Sequence, residues 1–445
     1  MTKPQRHRGF LASQEGLKRL KEAKFERGYT SYESLAEAAG LPSADQVKRL
    51  FNPHWGRPIE EKAIENIAQV LGLQPTDIVG SKWYLLHPTL EPVQASGESP
   101  RHLNPIKPLT LEMDQVPLAC NFYVERPPIE SVCSQEILQP YTLLRIKAPR
   151  RMGKTLLMSK ILKHAANHDY QTVFLNLRQA VDRDYTDLDQ FLRWFCITIS
   201  AIQGLPDRVD EHWDKKLGNS KLKCETYFEE YLLASERPVV LALDELDRVY
   251  PYPVISEDFL AMLRTWHESA KIREIWRRLR VIIGYVAIYT QLNQNKSPFN
   301  VGTLVELQPF TEEQVCKLVQ MHELGWDSVQ ITQLMGMVGG LPFLVHRAVY
   351  HLKAYTDITL EEFLAKAPTF EGIYSEHLQG LLSNLQQSGL IAALNQVMTT
   401  NNPVQLDWEQ ASKLYDMGLV QWQDNQVMPS CELYRQFFRE QIGVN

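Results

Sequence analysis

One stretch of the sequence decides the predicted fold, and it reads Ala148-Pro149-Arg150-Arg151-Met152-Gly153-Lys154-Thr155. It follows an apolar run at 141–147 and opens a helical pattern that extends to about residue 167. The stretch fits G-x-x-x-x-G-K-[ST], the pattern of a phosphate-binding loop between a strand and a helix, except that Ala148 replaces the first glycine. Alanine tolerates the negative φ expected at that position. The strand–loop–helix context therefore favours a phosphate-binding loop over a chance match.

Each residue type in this loop suits a phosphate group. Backbone N–H groups between Ala148 and Leu156 would point at a β-phosphate, where the dipole of the following helix also favours negative charge. Gly153 leaves out a side chain that would obstruct this approach. Lys154 is predicted to reach the β- and γ-phosphate oxygens, and the Thr155 hydroxyl is predicted to bind Mg²⁺. The expected cofactors are ATP and Mg²⁺.

A second motif follows 90 residues after Lys154. Residues 238–243 are mostly apolar and lead into Asp244 and Glu245, so a buried strand would carry two carboxylates at its carboxyl end. Ligands bind at that edge of open α/β sheets. Asp244 is predicted to complete the Mg²⁺ site, and Glu245 to polarise the attacking water. Acid pairs at strand ends also occur in solvated turns, but the place of this pair in a series of strands and helices favours the catalytic interpretation.

The surrounding pattern predicts a parallel sheet. Strand-length apolar runs cover residues 141–147, 172–177, 239–243, 279–286 and 301–307. Helical segments such as 188–202 and 256–270 separate them, and strands that alternate with helices form parallel sheets with right-handed crossovers. After residue 308 the pattern is helical, until two short apolar runs flank Asp424-Asn425 and predict a hairpin. The predicted class is a multidomain α/β protein around a central nucleotide-binding core.

Composition shifts divide the chain into predicted domains. A helical domain of helix-turn-helix type covers 1–86, and a linker rich in Pro, Ser and Glu covers 87–118. The nucleotide-binding core extends over 119–310. A helical lid follows at 311–370, and the segment 371–445, in which helices precede the hairpin, is predicted to be a winged-helix-like domain.

With both motifs considered, the chain resembles the AAA-like ATPases common in cyanobacteria, which belong with the STAND class of signalling P-loop ATPases. The resemblance covers about residues 104–355. Six ordered motifs carry it, namely residues 123–127, Ala148–Thr155, 243–248, 259–268, 298–302 and 339–342. Members of that family often lack the first glycine of the loop, so Ala148 agrees with the resemblance.

The resemblance implies further roles. Arg126 would lie in a turn that packs near the adenine, and Pro342 would be the residue by which the lid touches the base. Glu125 and Pro127 stand where related STAND proteins often have Gly and Glu, which is a departure from the pattern. For Pro342 the alternative is a helix break without ligand contact. No arginine finger is assignable, and each of the candidates, Arg248, Arg264 and Arg347, is better explained as a surface or ion-pairing residue.

The N-terminal region resembles a helix-turn-helix domain of the phage-repressor type over about residues 30–80. Leu35, Ala36 and Ala39 would pack one helix, Gly40 would form the turn, and Ser43 would cap a second helix with Val47 and Leu50 inward. In such domains the start of the second helix enters the major groove of DNA. The residues predicted to face DNA are Gln46, Lys48, Arg49 and Arg57. A protein-interaction module is the alternative, because the pattern alone does not specify function.

Charge and composition set the remaining expectations. Residues 1–86 hold 13 Lys/Arg and 10 Asp/Glu, a net charge of +3, so the net charge of −6 leaves −9 for the rest. The six cysteines have no C-x-x-C spacing, which indicates free thiols rather than disulfides or zinc. Because no signal peptide or membrane-length apolar run is recognisable, we expect a cytoplasmic protein without a membrane partner.

Three functions fit these observations. The first is a signalling switch that binds and slowly hydrolyses ATP and couples nucleotide state to the N-terminal domain. The second is a DNA-binding transcriptional regulator whose nucleotide site is mainly structural. The third is an AAA-type remodelling or transposition ATPase stimulated by DNA. The predicted partners are ATP and ADP, double-stranded DNA through residues 1–86, and further copies of the chain. We favour the switch.

Overall fold

The computed structural model divides into two compact units, Met1–Asn104 and Pro105–Asn445. In the first unit it describes residues 17–51 except 18, 22, 25, 26, 28, 30 and 42, together with 60–71, 73, 75 and 78. In the second it describes residues 122–213, 218–286 and 298–442. The predicted linker 87–118 and Arg57 lie outside the described residues. Among the helices within these ranges, none is long and apolar enough to cross a membrane.

The first unit is a small helical body. Its helices include α1 (Tyr32–Ala38), α2 (Asp45–Phe51) and α3 (Glu61–Leu71). The residues predicted to pack inward, Leu35, Ala36, Ala39, Val47 and Leu50, are all buried. Gly40 has a φ of +62°, a value that favours glycine, so it forms the turn between α1 and α2 as predicted. Helix α2 begins at Asp45, whose amide donates to the Ser43 hydroxyl over 3.4 Å.

The second unit contains a five-stranded sheet with helices between its strands. The strands are β1 (Leu143–Lys147), β2 (Gln171–Asn176), β3 (Val239–Asp244), β4 (Leu279–Tyr285) and β5 (Thr303–Glu306). The helices up to the last strand are α4 (Ile129–Glu136), α5 (Lys154–Ala166), α6 (Leu188–Ile202), α7 (Val209–Trp213), α8 (Ser220–Tyr227) and α9 (Pro253–Ser269). Short helical turns cover Leu177–Gln179, Asp182–Tyr185, Phe228–Leu232, Leu246–Val249, Ile275–Arg278 and Pro298–Asn300.

All five strands are parallel and lie in the order β2-β3-β4-β1-β5. The predicted parallel sheet is therefore confirmed. Strand β4 lies between β1, which leads into the phosphate loop, and β3, which ends in Asp244. Neighbouring strands are about 4.8 Å apart, so β1 and β3 are separated by roughly twice that distance. The loop that follows β1 and the acid pair that ends β3 therefore lie near each other at one edge of the sheet.

Helices cover both faces of the sheet. Along β3, Leu241 and Leu243 belong to a cluster with the aromatic side chains of α6 and α9, whereas Val240 and Ala242 pack against α5 on the opposite face. Side chains alternate between faces along a strand, so a strand buried on both sides is apolar throughout. This burial explains why residues 239–243 contain no polar residue before Asp244.

The remaining chain forms a helical region with one hairpin. Its helices are α10 (Glu312–Met321), α11 (Ser328–Val338), α12 (Pro342–Ala354), α13 (Leu360–Lys366), α14 (Ser375–Ser388), α15 (Ile391–Thr399), α16 (Trp408–Asp416) and α17 (Glu432–Ile442). Strands β6 (Val420–Gln423) and β7 (Gln426–Pro429) pair antiparallel around Asp424 and Asn425, as predicted. One buried cluster extends from Phe310 to Phe438. Helix α17 after the hairpin is an addition to the predicted elements.

Candidate nucleotide site

The phosphate loop joins β1 to α5 in a conformation that two left-handed residues define. Arg151 has a φ of +66° and Gly153 a φ of +91°. A Cβ atom at Gly153 would lie 3.0 Å from the Arg126 guanidinium, so a side chain there would crowd both the loop and its neighbour. Ala148 is buried and is not among the residues with positive φ, which fits its place at the first position of the loop.

Lys154 is anchored by the loop that it serves. Its ammonium donates hydrogen bonds to the carbonyl of Ala148 over 2.9 Å and to the carbonyl of Pro149 over 3.0 Å. An ammonium has three protons, so one remains for a further acceptor. Burial lowers the pKa of Lys154, while the neighbouring carboxylates of Asp244, Asp247 and Glu245 oppose that shift. The side chain is thus held in place beside a cluster of acids.

Within the part of the chain that the structure describes, no side chain caps the first turn of α5. Gly153 provides no side-chain cap, and the first turn contains no acidic residue. Some helices of the same unit begin with a side-chain cap, as Asp187 does for α6 and Thr311 for α10, whereas others, such as α4 and α9, have none. Free amides at the positive end of a helix dipole attract anions. The start of α5 is therefore compatible with a phosphate, as the sequence predicts.

Asp244 and Thr155 meet at the edge of the sheet. The Thr155 hydroxyl donates to Asp244 Oδ2 over 2.6 Å, and Asp244 is 2% exposed. Burial raises the pKa of Asp244, and the Thr155 hydroxyl and Lys154 oppose that rise. A hydroxyl and a carboxylate side by side are the oxygen ligands that Mg²⁺ takes in phosphate sites, so this pair fits that ion.

Gly284 provides the room for this pair, and the sequence patterns did not identify it. It lies in β4, between the strands that carry the loop and the acids. A Cβ atom on Gly284 would lie 2.8 Å from Asp244 Oδ1 and 2.9 Å from the sulfur of Met158. A glycine inside a buried strand is a signal of such a close approach.

Glu245 follows Asp244 at a sharp change of backbone direction. Its φ is +58°, a left-handed conformation that a non-glycine residue rarely adopts. The Glu245 carboxylate accepts from Arg178 Nε over 2.8 Å. Burial raises the pKa of Glu245, and Arg178 acts in the opposite direction. Arg178 lies just beyond β2, which pairs with β3, and was not predicted as a site residue.

The predicted base-contacting residues lie together beside the loop. Arg126 donates through Nη1 to the Met152 carbonyl over 2.9 Å, while its buried Nε has no hydrogen-bond partner within the described part of the chain. Pro342 begins α12 and lines the same pocket. The full lining is Tyr123, Val124, Arg126, Arg151, Gly153, Leu156, Phe310, Pro342 and His346. A partly apolar wall with one unused buried donor suits a heteroaromatic base.

The C-terminal helical region lies directly on the phosphate loop. The Arg150 amide donates to the Asp416 carbonyl over 3.3 Å. The Arg151 guanidinium lies 4.3 Å from the centre of the Phe343 ring and contacts His377 Nδ1. His377 Nε2 is in turn 2.8 Å from the Tyr434 hydroxyl. The loop thus contacts α12, α14 and the last residue of α16, and His377 links it to α17.

The other predicted residues lie apart from this site or in the first unit. Arg264 forms an ion pair with Glu268 one helical turn away, at 2.8 Å. Arg347 lies on α12 near the Phe343 ring. In α2, Lys48 is paired with Glu33 over 2.7 Å and Arg49 is paired with Asp45. The buried Oε1 of Gln46 accepts no hydrogen bond from the described residues. The assignment of a finger arginine stays open.

The residues present fit a magnesium nucleotide. The uncapped helix start suits a phosphate, the remaining Lys154 proton suits its oxygens, and the unused Arg126 Nε suits an acceptor on the base or sugar. Thr155 and Asp244 would hold the ion. A parallel α/β core with this loop and acid pair defines the class as an AAA-like P-loop ATPase.

The chain belongs to the family described as the AAA-like domain, whose sequence model matches residues 111–440. An uncharacterised WD-repeat-containing protein of Synechocystis is 29% identical over 118 residues, which are 25% of this chain and 10% of that protein. The chain thus spans about a tenth of that relative.

Solved structures are similar to the chain at low identity. The ORC2 protein of Aeropyrum pernix in ADPNP and ADP complexes is 15% identical, with a TM-score of 0.42, over 73% of this chain and 98% of that one. A STAND protein with a tetratricopeptide repeat sensor from Pyrococcus horikoshii is 13% identical, with a TM-score of 0.31, over 72% of this chain and 42% of that one. AMPPCP-bound DnaA from Aquifex aeolicus is 13% identical, with a TM-score of 0.33, over 61% and 68%.

Proposed function

We propose that this protein is a signalling switch that binds ATP, hydrolyses it slowly and couples its nucleotide state to binding by the N-terminal unit. The observation that carries the proposal is the contact between Arg150 and Asp416, which joins the phosphate loop to the C-terminal helical region. A ligand in the loop must act on this contact. The nucleotide is therefore linked to the position of a whole group of helices, as a switch requires.

The roles within the site follow from its geometry. Arg126 and Pro342 receive the base, and the loop from Ala148 to Leu156 receives the phosphates, mainly through the amides that follow Arg150. Thr155 and Asp244 hold Mg²⁺, which when bound neutralises charge on the phosphates. Lys154 gives its remaining proton to phosphate oxygens and so stabilises charge during transfer. Glu245 orients and deprotonates the attacking water.

Slow turnover is supported by the state of Glu245. Its carboxylate is ion-paired with Arg178, so it is restrained from accepting a proton from water. Hydrolysis in this arrangement requires that the pair opens first. An enzyme that works as a motor gains from a base that is always available, whereas a switch gains from a long-lived bound state. We therefore favour the switch over a remodelling ATPase.

We propose the following domain roles. Residues 119–310 bind the nucleotide, 311–370 act as the lid, and 371–445 form a winged-helix-like domain. The order of α15, α16, the β6–β7 hairpin and α17 supports the last assignment, because a winged helix combines a few helices with one hairpin. Residues 1–86 form the output domain, which the linker 87–118 joins to the core.

DNA is the partner that we propose for the first unit. The short α1, the turn at Gly40 and α2 have the order of a helix-turn-helix, in which the start of the second helix reads the major groove. Lys48 and Arg49 lie on α2, together with Gln46. Their ion pairs to Glu33 and Asp45 reduce the local positive charge, so we expect modest affinity with a strong dependence on salt. The second candidate function, a transcriptional regulator with a structural nucleotide site, rests on the same helices.

Nucleotide binding is tested by calorimetry on Lys154→Ala. We expect ATP affinity to fall about tenfold or more, because the variant removes a charge-assisted hydrogen bond to phosphate. Lys163→Ala, an exposed lysine on the same helix, is the control and should bind like the wild type. Equal ATP binding by the wild type and Lys154→Ala would remove the basis of the proposal.

DNA binding is tested with the full chain and a duplex of mixed sequence. We expect retardation at low salt that weakens as salt rises, and a loss of retardation in a Lys48→Ala, Arg49→Ala double variant. Lys62→Ala, on the neighbouring α3, is the matched control. Absence of retardation at low salt, with and without ATP, would favour a protein partner instead. A sizing run under the same conditions reports whether nucleotide or DNA changes the number of copies in the particle.

A further inference from the structure

The turn Asp416–Gly418, formed by the last residue of α16 and the two residues that follow it, lies against the first half of the phosphate loop. The Asp416 carbonyl accepts from the Arg150 amide over 3.3 Å. Gly418 is buried, and a Cβ atom there would lie 3.7 Å from the Arg150 carbonyl oxygen and 3.9 Å from Pro149 Cβ, which are van der Waals distances. The turn therefore occupies one amide of the loop and covers its surface.

A nucleotide bound as proposed would have its last phosphate near this turn. The base pocket is formed with Gly153 and Leu156 from the second half of the loop, together with Arg126 and Pro342. In the proposed nucleotide site, the phosphate chain would extend from there back along the loop, past Lys154. A diphosphate would then end near the start of α5, whereas a third phosphate would reach the first half of the loop, where Arg150 lies.

The Asp416 side chain adds negative charge at the same place. Its carboxyl interacts electrostatically with Lys154, Arg150 and Lys147, and with Asp247 in the opposite sense. It is half-buried, and within the described ranges its carboxylate accepts no hydrogen bond. Burial raises its pKa to about 6, so it is mostly ionised at neutral pH. A terminal phosphate would compete with this carboxylate for Lys154 and would be repelled by it.

We propose that Asp416 is a specificity-determining residue of the nucleotide site. While the turn Asp416–Gly418 lies on the loop, this residue makes the site selective for a nucleoside diphosphate over a triphosphate. The proposal rests on the proposed nucleotide binding by the loop. The Asp416 carbonyl occupies the Arg150 amide, which would lie nearest the third phosphate. The Asp416 carboxylate disfavours further negative charge beside Lys154. A diphosphate leaves both features in place. A triphosphate binds only when the turn Asp416–Gly418 withdraws from the loop.

The experiment measures the affinities of the full chain for ADP and for a non-hydrolysable ATP analogue, in Mg²⁺ at pH 8, where Asp416 is charged. We expect the wild type to bind ADP about tenfold or more tightly than the analogue, since a like charge acts against the added phosphate. Asp416→Asn should reduce this ratio by about tenfold through tighter binding of the analogue, with ADP affinity changed by less than about twofold. Asp416→Ser removes the same charge with a different side chain, and it should reduce the ratio of the two affinities to a similar extent.

Asp424→Asn is the matched control, because Asp424 is an exposed acid in the hairpin that follows the turn. It should retain the wild-type ratio. Thermal unfolding without nucleotide verifies that each variant is folded. If ADP binds and both Asp416 variants retain the wild-type ratio, the inference is wrong while the proposed function stands. If neither nucleotide binds to the wild type, the proposed function itself is wrong.

Discussion

Arg178 Nε lies 2.8 Å from the carboxylate of Glu245, and the two residues lie just past the carboxyl ends of two paired strands, β2 and β3. The side chain of Arg178 is about two-fifths exposed at 42%, so the pair is open to solvent on one side. An exposed ion pair contributes little to stability. Its importance is instead that it holds the residue proposed as the base in one position.

The first prediction concerns this ion pair. Arg178→Gln should raise the steady-state rate of ATP hydrolysis by about threefold to tenfold, because the freed carboxylate has a higher pKa and accepts a proton more readily. ATP affinity should stay near that of the wild type. Arg183→Gln, an exposed arginine in the next helical turn, is the control. A slower rate in Arg178→Gln would show that the pair positions Glu245 for the reaction rather than restraining it.

The second prediction assigns the base. Glu245→Gln should retain ATP binding and lose at least about a hundredfold in turnover, since general-base catalysis contributes that much. The amide keeps the shape of the side chain, and its carbonyl can still accept from Arg178. Glu257→Gln, an exposed residue on α9, should behave like the wild type in the same phosphate-release assay. Undiminished hydrolysis would assign the base to another residue.

The third prediction concerns Gly284. Gly284→Ala should lower Mg²⁺-dependent hydrolysis and reduce the free energy of unfolding by about 1–3 kcal/mol, because the new methyl group would press on Asp244 and Met158. Titration of the hydrolysis rate with Mg²⁺ separates the two effects, since a displaced Asp244 raises the Mg²⁺ concentration that is needed. Gly336→Ala, in α11 where a Cβ meets no atom within 4 Å, is the control. An unchanged Mg²⁺ requirement in Gly284→Ala would contradict a metal role for Asp244.

The fourth prediction is a pH dependence of stability that His377 causes. Burial lowers the pKa of His377 to about 3, and the charges of Arg151 and Arg347 add to the shift. Below the pKa of about 6.5 of an unfolded histidine, the unfolded chain binds a proton that the folded site refuses. This residue therefore lowers the free energy of unfolding by about 1.4 kcal/mol per pH unit as pH falls from 6.5 towards 3.

Melting temperatures at pH 7.5, 6.0 and 5.0 measure this contribution. The wild type should lose more stability on acidification than His377→Gln, which retains a polar group toward Tyr434 but no titrating ring. His168→Gln, an exposed histidine, should follow the wild type. Parallel curves for the wild type and His377→Gln would show that His377 takes up a proton in the folded state.

The local pattern of the sequence was sufficient for most elements. Strand-length apolar runs, separated by helical segments, predicted all five strands of the sheet to within a few residues. Gly40 predicted the turn between α1 and α2, because a residue without a side chain adopts its positive φ most easily. Helix α17 was missed because its polar residues and the preceding Pro429 resemble a C-terminal tail. Its buried Leu433, Phe437 and Phe438 find partners only in the assembled cluster.

The candidate site divides in the same way. Ala148–Thr155 and the pair Asp244–Glu245 are recognisable because each is a continuous run beside a strand, and their catalytic and binding roles stay predictions. Arg178, Gly284 and Asp416 carry no such signal. Each acts on a residue more than 30 positions away or across the sheet, so its effect depends on strand order and on the docking of the hairpin region.

The sequence by itself determined that a strand, a phosphate loop and a helix follow one another, and that an acid pair ends a second buried strand, because these features depend on neighbouring residues. Tertiary structure decided the rest. It placed β4 between β1 and β3, so that Gly284 clears the space where Thr155 meets Asp244. It also set Asp416 against Arg150, since only long-range packing brings residues 266 positions apart into one hydrogen bond.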